Sequence, residues 1–202
     1  MTREPAPAPA GAPEAAGADG GAGVDARLVR ESRSGNRSAR RALIDRHQDA
    51  VYNLALRMLG APDAAADVAG ETFVKAFRRL SAFPSNQRLT PWLLRIAHNT
   101  AIESLRRGDR REGPAPPVPH PTPPAADPGR DGFGSAAAAE PLAGAFEGLP
   151  MRYRAAIVLR YQAGLSFAEV GDVMGVPEQT ARARVEGARR ALAERLRERP
   201  EA

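Results

Sequence analysis

Residues 164–190 read GLSFAEVGDVMGVPEQTARARVEGARR, and this stretch decides the fold of the C-terminal part of the chain. Ser166 and Glu169 have the spacing of a capping box, in which each side chain satisfies a backbone N–H group at the start of a helix. That helix is expected to end at Gly175, and a short turn leads into a second helix over residues 178–197. Two helices joined by a tight glycine-containing turn, the second rich in arginine, predict a DNA-binding helix-turn-helix.

The second helix of this unit has one narrow apolar stripe, which must face the core and therefore leaves the opposite side exposed. A helix in the major groove contacts bases through its N-terminal part, where glutamine can pair with adenine and arginine with guanine. Taken singly, the arginines are equally typical of a solvated helix face with ion pairs four residues apart. The residues predicted to face DNA are Gln179, Thr180, Arg182, Ala183, Glu186, Arg189 and Arg190. Gln179 and Arg182 are the predicted base readers, and Arg189 and Arg190 are better placed for phosphates.

Residues 24–108 also have the spacing of helices. Apolar residues recur every three or four positions from Leu43 until Gly60, where a helix is expected to end. A second helix starts near Pro62, and a third begins with Thr90 as N-cap and runs to Arg107. Residues 24–33 are expected to add a short leading helix, and no segment alternates with the period of a strand. The sequence therefore predicts an all-α protein.

Composition divides the chain into two ordered segments. Residues 1–23 are almost entirely alanine, proline and glycine and are predicted to be a disordered tail. Residues 109–140 are rich in proline and are predicted to be a flexible linker. Two small helical domains remain, at 24–108 and 141–198. A loose tether of this length would let the two domains contact separate sites on one partner, and it would make the second contact intramolecular, so that two weak contacts act as one.

Overall composition restricts the functions that the chain can have. Of its 202 residues 43% are hydrophobic and 26% charged, with a formal net charge of +5, which favours a polyanionic partner. The absence of cysteine excludes disulfides and thiolate chemistry and fits a cytoplasmic protein. No apolar run approaches the ~20 residues that span a bilayer, so no membrane insertion is expected. The three histidines are far apart without an acid pair or phosphate loop, so neither enzyme activity nor a metal or cofactor is expected.

Two blocks of sequence resemble a known family. Residues 67–77 (DVAGETFVKAF) and 91–101 (PWLLRIAHNTA) resemble region 2 of bacterial sigma factors of the extracytoplasmic-function group, within the sigma-70 family. Residues 149–150, 164–170 and 175–184 are similar to region 4 of the same group. The order of the blocks, with a variable linker between them, is more specific than either block alone.

The resemblance implies a promoter-specificity subunit of RNA polymerase. It implies that region 2 docks on core polymerase, with the match falling on Asp67, Glu71 and Phe73. It implies that the same region holds the melted strand of the minus-ten element, through Asn86, Arg88, Arg95 and Asn99. Arg106 and Arg107, at the end of that helix, suit phosphate contacts or a solvated helix C-terminus equally well. Region 4 would read the minus-thirty-five element, so the implied partners are core RNA polymerase, promoter DNA and an anti-sigma factor.

Two other functions stay open on the sequence alone. Helix-turn-helix units of this kind also end many dimeric transcriptional regulators, which bind their sites without polymerase. An anti-sigma or adaptor protein would bind a protein partner without contacting DNA. Stoichiometry and dependence on polymerase would distinguish these classes.

Overall fold

The computed structural model describes residues 18–84, 87–108 and 144–197. Within these ranges every regular element is helical, which confirms the all-α prediction. The predicted linker lies outside the described residues, as do residues 1–17 of the predicted tail. Residues 18–23 were expected to belong to that tail, but they form the start of the first helix. Extending a helix that is already anchored costs much less free energy than starting one, even through glycine-rich sequence.

Four helices form the N-terminal domain. They are α1 (Ala18–Arg33), α2 (Arg37–Leu59), α3 (Pro62–Arg79), which is followed by a 3₁₀ turn (Leu80–Ala82), and α4 (Leu89–Gly108). Asn36 caps α2 by accepting from the backbone N–H groups of Ser38 and Ala39 at 2.9 and 3.2 Å. Gly60 ends α2 at a φ of 73°, as predicted. Helix α4 begins at buried Leu89, one residue before the predicted cap Thr90.

The buried face of α1 is tied to α2 by a charged cluster. Asp25 is buried, and its two carboxylate oxygens lie 3.0 Å from Arg46 Nε and 3.1 Å from His47 Nε2. Burial alone would raise the pKa of Asp25, but the hydrogen bonds and charges of His47 and Arg46 outweigh it and lower the pKa. Together with Leu28 and Val29 in the core, this cluster fixes α1 on the bundle.

The C-terminal domain begins with a short helical turn over residues 144–147, and three longer helical elements follow. They are α5 (Met151–Ile157), which continues as a π-helical turn (Val158–Gln162), α6 (Phe167–Met174) and α7 (Glu178–Arg197). The predicted capping box is present, because Ser166 Oγ accepts from Glu169 N at 3.2 Å and Glu169 Oε2 accepts from Ser166 N at 2.8 Å. Gly175 ends α6 with a φ of 65°, also as predicted.

An α-helical period over residues 151–162 predicts that Tyr161 faces inward with Ile157 and Val158, and this prediction is wrong. Ile157 and Val158 are buried, but Tyr161 is 55% exposed. The backbone N–H of Ala163 donates to the carbonyl of Val158, five residues back, at 3.0 Å. The wider π turn rotates the residues that follow away from the α-helical register, and it carries Tyr161 to the surface.

The two domains pack against each other. Helix α4 contacts α6, and α2 contacts α5 and the π turn that follows it. The sequence predicts two helical domains, and both are present, but the expectation of two bodies joined only by a loose tether is wrong for this structure. The contact places the first helix of the helix-turn-helix against the helix expected to hold a melted strand.

Candidate nucleic-acid interface

Helix α7 presents the predicted DNA-facing side to solvent. Its inner stripe is buried at Ala181, Val185 and Ala188, as its spacing requires. On the opposite side Thr180 is half-buried, and the other predicted positions are exposed, namely Gln179, Arg182, Ala183, Glu186, Arg189 and Arg190. The helix therefore offers a continuous polar face that carries three arginines.

The side chain of Arg182 is held in place by contacts within the protein. Its Nη2 lies 3.2 Å from Glu178 Oε1, one turn earlier on α7. Its guanidinium carbon lies 4.2 Å from the centre of the Phe167 ring, at the start of α6. Arg160 also lies over that ring at 4.8 Å and donates to the Leu165 carbonyl at 2.8 Å. A stacked guanidinium has fewer orientations to lose when it binds a base edge or phosphate.

Two glycines let elements of the C-terminal domain pack closely, one at the turn of the helix-turn-helix and one against α5. A Cβ atom on Gly171 would lie 2.7 Å from the carbonyl oxygen of Val176 in the turn, which is closer than side chains approach. A Cβ on Gly187 would lie 3.1 Å from the hydroxyl of Tyr153 on α5. Both positions therefore serve packing within the domain.

The loop before α4 is supported from two sides. Arg33, at the end of α1, donates through Nε to the Leu80 carbonyl at 3.0 Å and through Nη2 to the Phe83 carbonyl. The rings of Phe83 and Trp92 lie 4.9 Å apart, so the residues on both sides of the loop are joined. A cavity of about 60 Å³ lies beside it, lined in part by Arg33, Gln87 and Arg88. Sequence analysis missed Arg33, because its partners are backbone carbonyls about 50 residues away.

Helix α4 aligns three of the predicted strand-binding residues. At about 100° per residue, Arg95, Asn99 and Arg106 fall within about 40° of each other, and all three are exposed. Arg107 points about 100° away, and its Nη2 lies 3.0 Å from Glu71 Oε2 on α3. Asn86 lies outside the described residues.

Arg88 contacts the other domain. Its Nη1 lies 2.9 Å from Glu169 Oε1, the oxygen of the capping-box glutamate that the cap does not use. A second contact between the domains joins Arg154 Nη2 on α5 to the carbonyl of Met58 on α2 at 3.1 Å. Sequence analysis did not predict either contact, since nothing in either segment indicates its partner.

His98 is buried on α4, and it is influenced by the other domain. His98 is only 4% exposed, and its Nδ1 atom has no hydrogen-bond partner. Burial lowers the pKa of His98, and the charge of Arg184 on α7 lowers it further, against an opposing hydrogen bond with Asn99. Arg184 flanks the apolar stripe of α7, which is why sequence analysis did not count it among the DNA-facing residues.

Helix α3 carries the predicted docking residues on two different faces. Asp67 and Glu71 share one face with Val74, which is 50% exposed although apolar. Glu71 lies 2.9 Å from Lys75 Nζ, in addition to its contact with Arg107. Burial would raise the pKa of Glu71, but the hydrogen bonds and charges of these two cations lower it. Phe73 points the other way and is 7% exposed, so its side chain supports the core and does not offer a docking contact.

In the described part of the chain, no three histidine, cysteine or acidic side chains converge in a way that could hold a metal ion. No helix in those ranges is long and apolar enough to cross a membrane.

Comparisons with known proteins identify the family. The family model of sigma-70 region 2 matches residues 43–111, and that of sigma-70 region 4 matches residues 139–192. The chain is 29% identical over 178 residues to the ECF RNA polymerase sigma factor SigW of Bacillus subtilis, covering 84% of this chain and 95% of the relative. It is 31% identical over 188 residues to the ECF RNA polymerase sigma-E factor of Escherichia coli K12, covering 84% and 92%.

The chain belongs to the extracytoplasmic-function sigma factors. It also resembles the solved structure of CnrH in complex with the cytosolic domain of CnrY, with a TM-score of 0.62 and 27% identity over 88% of this chain and 99% of that one. Sigma factors bind core RNA polymerase and direct it to promoters, and they are regulatory subunits and not catalysts. The N-terminal domain of this sigma factor corresponds to region 2, and the C-terminal domain to region 4.

Proposed function

We propose that this sigma factor reads a promoter with two surfaces. The exposed face of α7 enters the minus-thirty-five duplex, with Gln179 and Arg182 reading bases and Arg189 and Arg190 contacting phosphates. The observation that carries this proposal is the capped helix-turn-helix, whose second helix buries one stripe and turns three arginines to solvent.

The second surface is the outer face of α4 with the loop before it. Arg95, Asn99 and Arg106 form a line of donors along α4, and Arg88 lies at its start. Asn86, which precedes Arg88 in the sequence, is proposed to take part in strand binding as well. Such a basic, amide-bearing track suits a single strand, whose phosphates and unpaired base edges are both accessible. Arg107 is paired with Glu71 and contributes to this track less directly.

Docking on core polymerase is assigned to the exposed face of α3. Asp67, Glu71 and Val74 combine two carboxylates with an exposed apolar side chain, a combination that suits a protein interface. Phe73 holds this helix from inside. The functions proposed for region 2 fall within residues 24–108 and those proposed for region 4 within residues 141–198, with a linker between them.

The sigma factor acts where core polymerase does, in the cytoplasm. A protein regulator is a further proposed partner, because solved structures of similar fold are complexes, among them the sigma factor RpoE with the anti-sigma factor NepR from Bartonella quintana.

Run-off transcription with purified core polymerase over genomic promoter fragments tests the proposed function. The wild-type protein is expected to yield specific transcripts only when core polymerase is present. Arg182→Glu should abolish those transcripts while leaving core affinity unchanged, and Arg41→Glu, the same change at an exposed arginine of α2, should leave both unchanged. Promoter binding by the free protein as a dimer, with no polymerase dependence, would contradict the proposal.

A further inference from the structure

We propose that Lys75 is a positioning residue for docking on core RNA polymerase. Its ammonium group holds the carboxylate of Glu71 in the orientation that the polymerase meets, and it does so by binding α4 at the same time. This inference rests on the docking role proposed above for Glu71. It adds a residue that acts through Glu71 and not by touching the polymerase.

Lys75 binds three oxygen atoms that come from two helices. Its Nζ lies 2.9 Å from Oε1 of Glu71, one turn earlier on α3. It also lies 2.7 Å from Oε2 of Glu103 and donates to Oγ1 of Thr100 at 3.2 Å, and both of these residues are on α4. An ammonium group has three N–H donors, so each has an acceptor here. Because the side chain is only 25% exposed, Lys75 has little to offer a partner directly.

The shape of this contact suits a lysine better than an arginine. Lys75 is the only lysine among the 29 lysine and arginine residues of the chain. An ammonium group presents its donors as a compact tripod, whereas a guanidinium group spreads them in a plane. Thr100 is 1% exposed, which leaves little room for the larger group at the third acceptor. In a chain that otherwise uses arginine, the lysine therefore stands where three oxygens converge.

The carboxylate of Glu71 is held by one cation on each oxygen. Lys75 binds Oε1, and Nη2 of Arg107 lies 3.0 Å from Oε2. An ionised carboxylate has about four acceptor sites, so sites remain for a donor of the polymerase. The side chain of Glu71 is 34% exposed and is therefore accessible to such a donor. A glutamate without these partners would lose more rotamer freedom on docking, because it would have to be ordered at that moment.

The loss of Lys75 is expected to disturb Glu71 more than the loss of an ordinary surface ion pair would. The four linked side chains carry two negative and two positive charges, in the order Glu103, Lys75, Glu71 and Arg107. Without Lys75, the carboxylates of Glu71 and Glu103 would have no cation between them and would repel each other. Arg107 would still bind Oε2, but its side chain is 51% exposed and it leaves Oε1 free to turn toward solvent.

The test measures equilibrium binding of full-length variants to purified core polymerase, with urea unfolding of each variant beside it. Lys75→Met keeps an apolar chain of similar length and removes the ammonium group. Glu71→Gln removes the charge of the docking carboxylate, and the double variant completes the thermodynamic cycle. Glu103→Gln is the control, because it removes a charge from the same ammonium group at the oxygen that is not on the docking face.

We expect Lys75→Met and Glu71→Gln each to weaken the affinity for core polymerase about fivefold. The double variant should bind no more weakly than Glu71→Gln alone, since Lys75 acts through Glu71. Glu103→Gln should keep the wild-type affinity. If Lys75→Met does not fold, Lys75→Arg serves in its place with an expected loss of about twofold, because it keeps the charge but not the tripod.

Three results overturn the inference and leave the docking role of Glu71 intact. One is wild-type affinity in the Lys75 variant while Glu71→Gln binds weakly. Another is a loss in the Lys75 variant that adds in full to the loss in Glu71→Gln. The third is an equal loss in Glu103→Gln, which would assign the effect to helix packing. If neither the Lys75 variant nor Glu71→Gln loses affinity, the docking role of Glu71 is wrong, and the positioning role of Lys75 falls with it.

Discussion

Arg88 Nη1 lies 2.9 Å from Glu169 Oε1, and this contact joins the loop before α4 to the capping box of α6. One glutamate thus starts a helix in one domain and pairs with an arginine of the other. The two roles are separable by substitution, because a cap requires a hydrogen-bond acceptor and an ion pair requires a charge.

Substitutions at Glu169 are therefore expected to change the stability by different amounts, depending on whether they keep a hydrogen-bond acceptor for the cap. Glu169→Ala should lower the free energy of unfolding by about 1 kcal/mol, since it removes one half of the capping box and leaves the Ser166 N–H without its partner. Glu169→Gln should change it by less than about 0.5 kcal/mol, because the amide oxygen still caps and a partly exposed ion pair contributes little. Urea unfolding of both variants measures the difference, and equal losses would contradict the division.

Phe167 is expected to act through Arg182. Phe167→Leu removes the ring on which the guanidinium rests and should weaken binding of holoenzyme to minus-thirty-five duplex about two- to fivefold, the equivalent of about 0.5–1 kcal/mol of cation–π interaction. Phe167→Tyr keeps the ring and should restore the affinity. Affinity for core polymerase should stay unchanged in both. Duplex binding that is unaffected by Phe167→Leu but lost in Arg182→Ala would show that the ring has no positioning role.

Gly171→Ala should destabilise the protein. The added Cβ would lie 2.7 Å from a backbone carbonyl oxygen, so the turn of the helix-turn-helix must shift, at a cost of about 1–3 kcal/mol. Gly148→Ala is the control, because its Cβ meets only the far end of the flexible Arg195 side chain, which can move aside. Thermal unfolding of the two variants should show a clear drop for the first and little change for the second.

The buried imidazole of His98 predicts a pH dependence of domain closure. Its pKa is lowered from the ordinary value of 6.5 in the closed structure, and opening exposes it and restores that value. The open state then binds more protons, so closure should weaken as the pH falls below about 6.5. The chain has no cysteine, so Ser38→Cys and Glu194→Cys, at exposed positions of α2 and α7, allow one dye to be attached to each domain. Energy transfer between the two dyes should decrease between pH 7 and 5 in the protein that is otherwise wild type. The decrease should be smaller in His98→Gln, and identical profiles would exclude His98 as the cause.

Val74 and Phe73 are adjacent in sequence, but substitutions at the two positions are expected to affect polymerase binding and protein stability, respectively. Val74→Asp changes an exposed apolar side chain on the proposed docking face and should reduce capture of core polymerase with little change in thermal stability. Phe73→Ala removes a buried ring and should cost about 3–5 kcal/mol of stability. If both variants are folded and both still capture core polymerase, the assignment of the docking surface to this helix is wrong.

Local rules predicted most of the fold. The capping box at Ser166, the helix ends at Gly60 and Gly175 and the buried stripe of α7 depend on residues close together in sequence, and all are present. Tyr161 was misplaced because the π turn breaks the period of 3.6 residues on which the prediction depended. A helix-face count at 100° per residue would have separated Phe73 from Asp67 and Glu71, so the burial of Phe73 was predictable from the sequence.

The arrangement of the domains lay beyond sequence reasoning. Arg88 and Glu169 are 81 residues apart, and each has an ordinary local explanation, as a loop cation and as a capping residue. Their pairing depends on shape complementarity between two domains, which leaves no periodic pattern in either segment. Arg33 was missed because its partners are backbone carbonyls 47 and 50 residues away in the same domain.

The hydrogen bond from Arg33 Nη2 to the carbonyl of Phe83 joins residues that are 50 positions apart in the sequence. A side chain at the end of α1, which no DNA base approaches in the proposed complex, thereby holds the start of the loop that is proposed to contact the melted strand. Substitutions in α1 are therefore expected to alter promoter preference while every residue proposed to face DNA stays unchanged.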